Sequence, residues 1–256
     1  MSLFDSNQHS HRRFNPLTGR WVLVSPHRTQ RPWQGKQEAA SAVSRPTFDP
    51  ECYLCPSNKR AGGDKNPAYE GPFVFQNDFS ALSPDVAVDR SDEHELLRSE
   101  SESGICRVIC FSPRHDVTLP QMSAADIRGV VDLWVSQYLE LGGVKDINHV
   151  QIFENKGEIM GCSNPHPHGQ IWAQQSIPDE VRIESERMRE HVEKTGRTLL
   201  GDYGRVEQER GERIVCDNES FVALVPFWAT WPFETLVLCK RPVSYTHLRA
   251  HETRTN

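Results

Sequence analysis

Apolar residues recur along this chain with two periods, and the switch between them marks out its elements. The clearest helical stretch is MSAADIRGVVDLWVSQYLELGG. Ser123 is placed to cap it with Asp126 three residues on, and Ile127, Val130, Val131, Trp134, Tyr138 and Leu141 recur at helical spacing before Gly142 and Gly143 stop it. A second helix is expected from near Asp179 in DEVRIESERMREHVEK, which is highly charged. Short apolar or alternating runs predict strands: Trp21 to Val24, GPFVFQ running up to Asn77 and Asp78, GICRVICFSP closed by Pro113, HVQIF, and HPHGQIWAQQ. Polar stretches between them read as loops: residues 36–50, a knuckle-like CYLCPSNKRAGGDKNP, and a solvated excursion from Arg90 to Ser103.

One pattern occurs twice. NDFSALSPD and the later RVICFSPRH are echoed by NESFVALVPFWATWPFETLVLCKR, with an Asn-acid pair, Phe, Ala-Leu, Pro and then a strand ending in a basic residue. The second copy has no following helix and no second histidine motif. These elements predict an α+β fold, an antiparallel sheet with helices on one face, duplicated, with the second repeat incomplete. The expected organisation is a first unit over 10–195 and the opening strands of a second over 196–242. Those strands are expected to lack cover on their apolar face, and 243–256 is expected to be a non-native tail.

Composition narrows the class. With 256 residues, 37% of them apolar, the chain can bury a substantial core. A net charge of −6 argues against a general nucleic-acid binder. No run is long and apolar enough for a membrane span, and the N-terminus lacks an apolar signal-peptide core, so a cytoplasmic protein without a membrane partner is expected. Seven cysteines, scattered except for Cys52 and Cys55, suit metal binding or free thiols better than a disulfide framework.

The chemistry concentrates in MGCSNPHPHGQ. On a strand His166, His168 and Gln170 share one face, while Pro167, Gly169 and Ile171 take the other. Just upstream, Gly161, Cys162, Ser163 and Asn164 are small or turn-forming residues whose amides suit a phosphate. A neutral imidazole is a good nucleophile near pH 7, and attack on phosphorus would give a covalent phosphoramidate, splitting one hard displacement into two. His168, nearest the amide donors, is the expected nucleophile. Cys52-x-x-Cys55 is half of a zinc site, which His115 and His166 would complete as a closed, structural centre. In RWVLVSPHRTQRPWQG, His27, Arg28 and Arg31 suit either an anion contact or a solvated basic loop.

NKGEIMGCSNPHPHGQIWA, RWVLVSPHRTQRPWQG, CYLCPSN, FQNDFSAL and PFWATWPFETLVL closely resemble the galactose-1-phosphate uridylyltransferases, the transferase branch of the histidine-triad superfamily, over about residues 10–242. The resemblance implies exchange of a uridylyl group between UDP-glucose and galactose 1-phosphate, by a ping-pong route through a uridylyl-histidine. It implies that His168 is the nucleophile and that Asn155, Ser163 and Gln170 contact the phosphates. Arg28, Arg31, Asn77 and Asp78 would line the nucleotide site. Cys52, Cys55, His115 and His166 would hold zinc, and Glu184 would serve a second metal, iron. UDP-galactose, hexose 1-phosphates and a homodimer are the implied partners. The ending PVSYTHLRAHETRTN departs from the family, so His247 and His251 are not taken as ligands. Two other readings stand beside this one. One is a histidine-triad nucleotide hydrolase or phosphorylase, which would carry His where Gln170 stands; the other is a zinc-stabilised nucleotide-binding module without turnover.

Overall fold

A computed structural model of the protein describes residues 4–30, 45–87, 89–157, 160–162 and 164–241. In chain order its elements are strands β1 (His11–Asn15), β2 (Arg20–Val24), β3 (Phe73–Gln76), β4 (Arg90–His94), β5 (Leu97–Glu100) and β6 (Gly104–Cys110), then helix α1 (Ala124–Gly142). Strands β7 (His149–Phe153) and β8 (His168–Gln174) follow, then helices α2 (Asp179–Thr195) and α3 (Leu199–Arg210), and strands β9 (Ile214–Asp217), β10 (Phe221–Leu224) and β11 (Leu236–Cys239). The fold is α+β, with antiparallel sheets. The chain divides into two compact units, one of residues 38–177 and one of residues 1–37 with 178–256. The sequence reading differs here: it placed 10–195 in one unit, whereas the N-terminal hairpin and α2 group with the C-terminal strands. No helix among the described residues is long and apolar enough to cross a membrane.

In the unit of residues 38–177, four antiparallel strands pair in the order β3-β6-β8-β7. Period-two alternation decides which side chains face which way. Gly169, Ile171 and Ala173 of β8 are buried on the α1 side, where Ile109, Phe111, Val130, Leu141 and Ile147 complete the core. Gly169 is required there: a Cβ would fall 2.8 Å from both the Phe153 carbonyl oxygen and the Phe111 ring. The opposite face carries Val108 and Cys110, packed with Cys52, Leu54, Cys55, Tyr69, Phe73 and Phe75.

Helix α1 starts as expected, with the Ser123 side chain accepting from the Asp126 amide at 3.2 Å. Its buried stripe is rotated from the expected one. Val131 and Tyr138 are exposed, and Gln137 is buried in their place, bonded to Arg107 of β6 and to Glu140. A buried amide is tolerated because its hydrogen bonds are met. The excursion from Arg90 to Ser103 contains a hairpin, β4 with β5, exposed except at half-buried Ser91 and laced by Arg90 to Asp92 and Glu100.

In the other unit, β9, β10 and β11 form a three-stranded antiparallel sheet. Its apolar face is covered, against expectation. Val222, Leu224 and Leu238 pack under Leu200 and Tyr203 of α3, a helix the sequence reading did not assign. On α3, buried Glu207 accepts from Arg213 through Nε at 2.9 Å and pairs with its Nη2 at 2.8 Å. The repeated Asn-acid pattern marks a shared turn. Asn77 Oδ1 accepts from the Phe79 amide and Asn218 Oδ1 from the Ser220 amide, each directly after a strand, β3 and β9. In the same unit, β1 pairs with β2, and Arg20 meets Glu180 of α2 at 2.8 Å. Residues 243–256 lie outside the described residues.

Candidate active site

The site grows from the knuckle loop and from β8. Cys52, Cys55, His115 and His166 are all buried, and their ligand atoms lie within 4.8 Å of one another. Cys55 Sγ is 3.7 Å from His115 Nδ1 and 3.6 Å from His166 Nδ1. The His166 Nε2–H donates to the Ser112 carbonyl at 2.9 Å, which leaves the Nδ1 lone pair facing the cluster. Burial pushes the His166 pKa down to about 4, so the imidazole is a neutral ligand at ordinary pH. Burial pushes the Cys55 thiol up to about 11 and the neighbouring Cys110 thiol up to about 12, so the metal-free pocket favours neutral groups. A bound cation reverses that preference for the ligand thiols.

Around the cluster stands a shell that the spacing did not reveal. Asn164, read from sequence as part of the phosphate turn, is buried and turned toward the Cys/His cluster instead. Its Nδ2 donates to Cys52 Sγ at 3.5 Å, and its Oδ1 accepts from the His166 amide at 2.9 Å. The Tyr69 hydroxyl donates to the Leu54 carbonyl at 2.5 Å and lies 3.2 Å from His166 Nε2.

His166 also works through its backbone. Its carbonyl accepts from His168 Nδ1 at 2.7 Å. Since a carbonyl can only accept, Nδ1 carries the proton and the lone pair sits on Nε2. His168 thus has a fixed tautomer, on the sheet face shared with Gln170, as the alternation predicted. Trp172 Nε1–H donates to Gln170 Oε1 at 3.3 Å, which leaves the Gln170 amide N–H groups as the outward donors. Glu154, which sequence reasoning did not single out, is close enough to His168 for their charges to interact. Although the residue as a whole is exposed, partial desolvation raises its carboxyl pKa, opposed by Lys156 and His168.

The floor beside His168 is a row of paired residues across all four strands: Phe75, Val108, Gln170 and Phe153. The neighbouring row is Phe73, Cys110 and His168. Asn77 continues from β3, its amide donating to the Cys106 carbonyl at 2.9 Å, and Asp78 follows with its side chain only 13% exposed. Strand geometry puts the Asn77 backbone about 17 Å from that of His168, two strands across and two rows along.

The remaining expected residues distribute as follows. Gly161 adopts φ +78, a left-handed turn that suits glycine. The Cys162 amide is engaged by the Gly157 carbonyl at 3.2 Å rather than free for an anion. Asn155 is exposed just past β7. Ser163 and Arg31 lie outside the described residues. Arg28 is exposed on a 3-10 turn, Pro26–Gln30, in the unit that contains the N-terminus. Glu184 sits half-buried on α2 in that unit, its pKa raised by burial and by Glu180. Among the described residues no second group of metal-ligating side chains gathers around it.

A family model described as galactose-1-phosphate uridyl transferase, N-terminal domain, matches residues 1–178, and the corresponding C-terminal domain model matches residues 180–255. The chain belongs to the galactose-1-phosphate uridylyltransferase family. The galactose-1-phosphate uridylyltransferase of Haemophilus influenzae is 52% identical over 242 residues, covering 94% of this chain and 69% of that protein. The Saccharomyces cerevisiae relative of the same name is 47% identical over 253 residues, covering 94% and 69%. Among solved structures, an ADP-glucose phosphorylase of Arabidopsis thaliana superposes with a TM-score of 0.66 at 23% identity, covering 91% of this chain and 69% of that one. A uridylyltransferase structure gives 0.65 at 24% identity, covering 91% and 66%. At those identities the structures share the fold. The boundary between the two family domains, at 178–180, falls where the two compact units meet in sequence.

Proposed function

We propose that this chain transfers a uridylyl group between UDP-glucose and galactose 1-phosphate through a covalent intermediate on His168. The observation that carries the reading is the 2.7 Å bond from His168 Nδ1 to the His166 carbonyl, which presents Nε2 as a nucleophile beside the Gln170 amide. In the first step the Nε2 lone pair attacks the α-phosphorus of UDP-glucose. A nitrogen–phosphorus bond forms, the bond to the β-phosphate oxygen breaks, and glucose 1-phosphate leaves with the electron pair. Positive charge that develops on the imidazole is stabilised by the carbonyl at Nδ1, and Gln170 donates to a non-bridging phosphate oxygen. A phosphate oxygen of galactose 1-phosphate then attacks the same phosphorus, releasing Nε2 and forming UDP-galactose. The nucleoside lies along the face toward Asn77 and Asp78, with Asn155 and Gly161 at the phosphates.

The metal in this reading is zinc. A tetrahedron with zinc's usual arms to sulfur and nitrogen has a sulfur–nitrogen edge of about 3.6 Å, against the observed 3.7 and 3.6 Å. Four protein ligands close the site, so the ion holds structure: it fixes His166 and, through the carbonyl of that residue, the nucleophile. Iron at a second site would draw on Glu184. The seven cysteines are unpaired, which suits the cytoplasm.

Isotope exchange tests the covalent route. The chain is incubated with UDP-glucose and labelled glucose 1-phosphate, with galactose 1-phosphate left out. Label should pass into UDP-glucose, since the first half-reaction runs both ways alone. Release of free UMP without exchange would point to a hydrolase, and no reaction to a binding module.

A further inference from the structure

The knuckle loop contributes more than two cysteines. Arg60 leaves it with a side chain only 13% exposed. Its guanidinium carbon stands 4.5 Å from the centre of the Phe75 ring, on the sheet face that carries Gln170 and His168. One end of the guanidinium pairs with Asp64. Its Nε is buried, makes no hydrogen bond among the described residues, and lies 3.7 Å from the Asp78 carboxylate. The Gly62 amide donates to the other oxygen of that carboxylate at 3.1 Å. The approach is close enough that a Cβ at position 62 would fall 2.7 Å from Asp78.

From this arrangement we infer that Arg60 is a positioning residue for the nucleotide, acting through Asp78. The inference rests on the uridylyl-transfer reading above. An ionised carboxylate offers about four lone-pair sites. Gly62 fills one, and at 3.7 Å Arg60 Nε is too far to fill another as a hydrogen bond. The guanidinium therefore supplies charge and a wall without consuming the acceptors. The carboxylate is held in orientation, with lone pairs left for the ribose hydroxyls or the imide N–H of a uridine nucleotide. Because Arg60 covers Phe75, it also bounds the pocket on that side. Without its charge, Asp78 would be a largely buried carboxylate fixed by one amide, which costs ligand affinity more than it costs the fold.

The test compares the parent chain with Arg60→Met, which keeps the length of the stem over Phe75 and removes the charge. Equilibrium binding of UDP and the concentration dependence of labelling by UDP-glucose are read together, with metal content and melting temperature as controls. Arg60→Met should weaken UDP binding and raise the half-saturating UDP-glucose concentration, both by about tenfold, while the maximal labelling rate stays within about twofold. In an Asp78→Asn background the same substitution should change either constant by less than about twofold, since its route is gone. Arg60→Lys should recover part of the loss. Unchanged UDP binding in Arg60→Met overturns the inference, as does an equal loss in both backgrounds or a loss that comes with metal release. If the parent binds UDP but takes no label, the transfer reading fails and the binding constants still decide the role of Arg60. If the parent does not bind UDP, both fail.

Discussion

His166 joins two tasks in one residue. Its ring faces the cysteines, and its carbonyl holds the proton of His168. Burial beside His115 and His168 makes it expensive to charge, and this has a signed consequence for stability. The unfolded chain protonates this imidazole near its ordinary value of 6.5, the folded one only near 4. Between those values the unfolded state binds more protons, so stability rises with pH there and falls as the solution is acidified from 6.5 towards 4. Urea unfolding of the chelated protein at pH 7, 5.5 and 4.5 should show this fall. His166→Asn, which cannot titrate, should show a shallower one. Equal slopes for both proteins would remove His166 as the cause.

At the scale of elements, period-two alternation made β8 legible: His168 and Gln170 on one face, Gly169 and Ile171 on the other. Gly169 is where that alternation is tightest. Gly169→Ala would force a methyl against the Phe153 carbonyl and the Phe111 ring, and overpacking of this kind costs about 1–3 kcal/mol. Chemical denaturation should show a loss in that range, and no loss would mean that β8 and β7 can separate without penalty. Other elements were hidden for physical reasons. Helix α3 contains Gly201 and Gly204, which weaken helix propensity, yet Gly204 leaves room for Leu238, whose Cδ1 would lie 3.4 Å from a Cβ at that position. Strands β4 and β5 hold no inward apolar set, so charge pairs rather than a core define them. The buried stripe of α1 was misread because Gln137 is satisfied by Arg107, a partner from a distant strand that no local pattern announces. Arg60 and Asn164 were obscured in the same way. Arg60 looks like an ordinary loop residue until the fold sets it against Asp78, and Asn164 reads as part of the phosphate turn until the fold sets it against Cys52.

On the scale of the whole molecule, the candidate nucleophile, its orienting carbonyl, the candidate metal ligands, Asn77 and Asp78 all belong to the unit of residues 38–177. Arg28 and Glu184 belong to the other. Removing the metal should therefore be felt first in the former unit. Hydrogen exchange after chelation should accelerate at residues 52–55 and 164–168, and labelling by UDP-glucose should fall with it. Unchanged protection in those segments would separate the metal from the fold of the site. The central claim, that His168 carries the uridylyl group, is tested most directly by peptide mass spectrometry of the chain after UDP-glucose treatment, alongside His168→Ala. The account predicts one acid-labile uridylyl group on His168, removed by galactose 1-phosphate with formation of UDP-galactose. The His168→Ala variant should carry no label while binding UDP within about tenfold of the parent. A label on any other residue, or one that persists in His168→Ala, would contradict it.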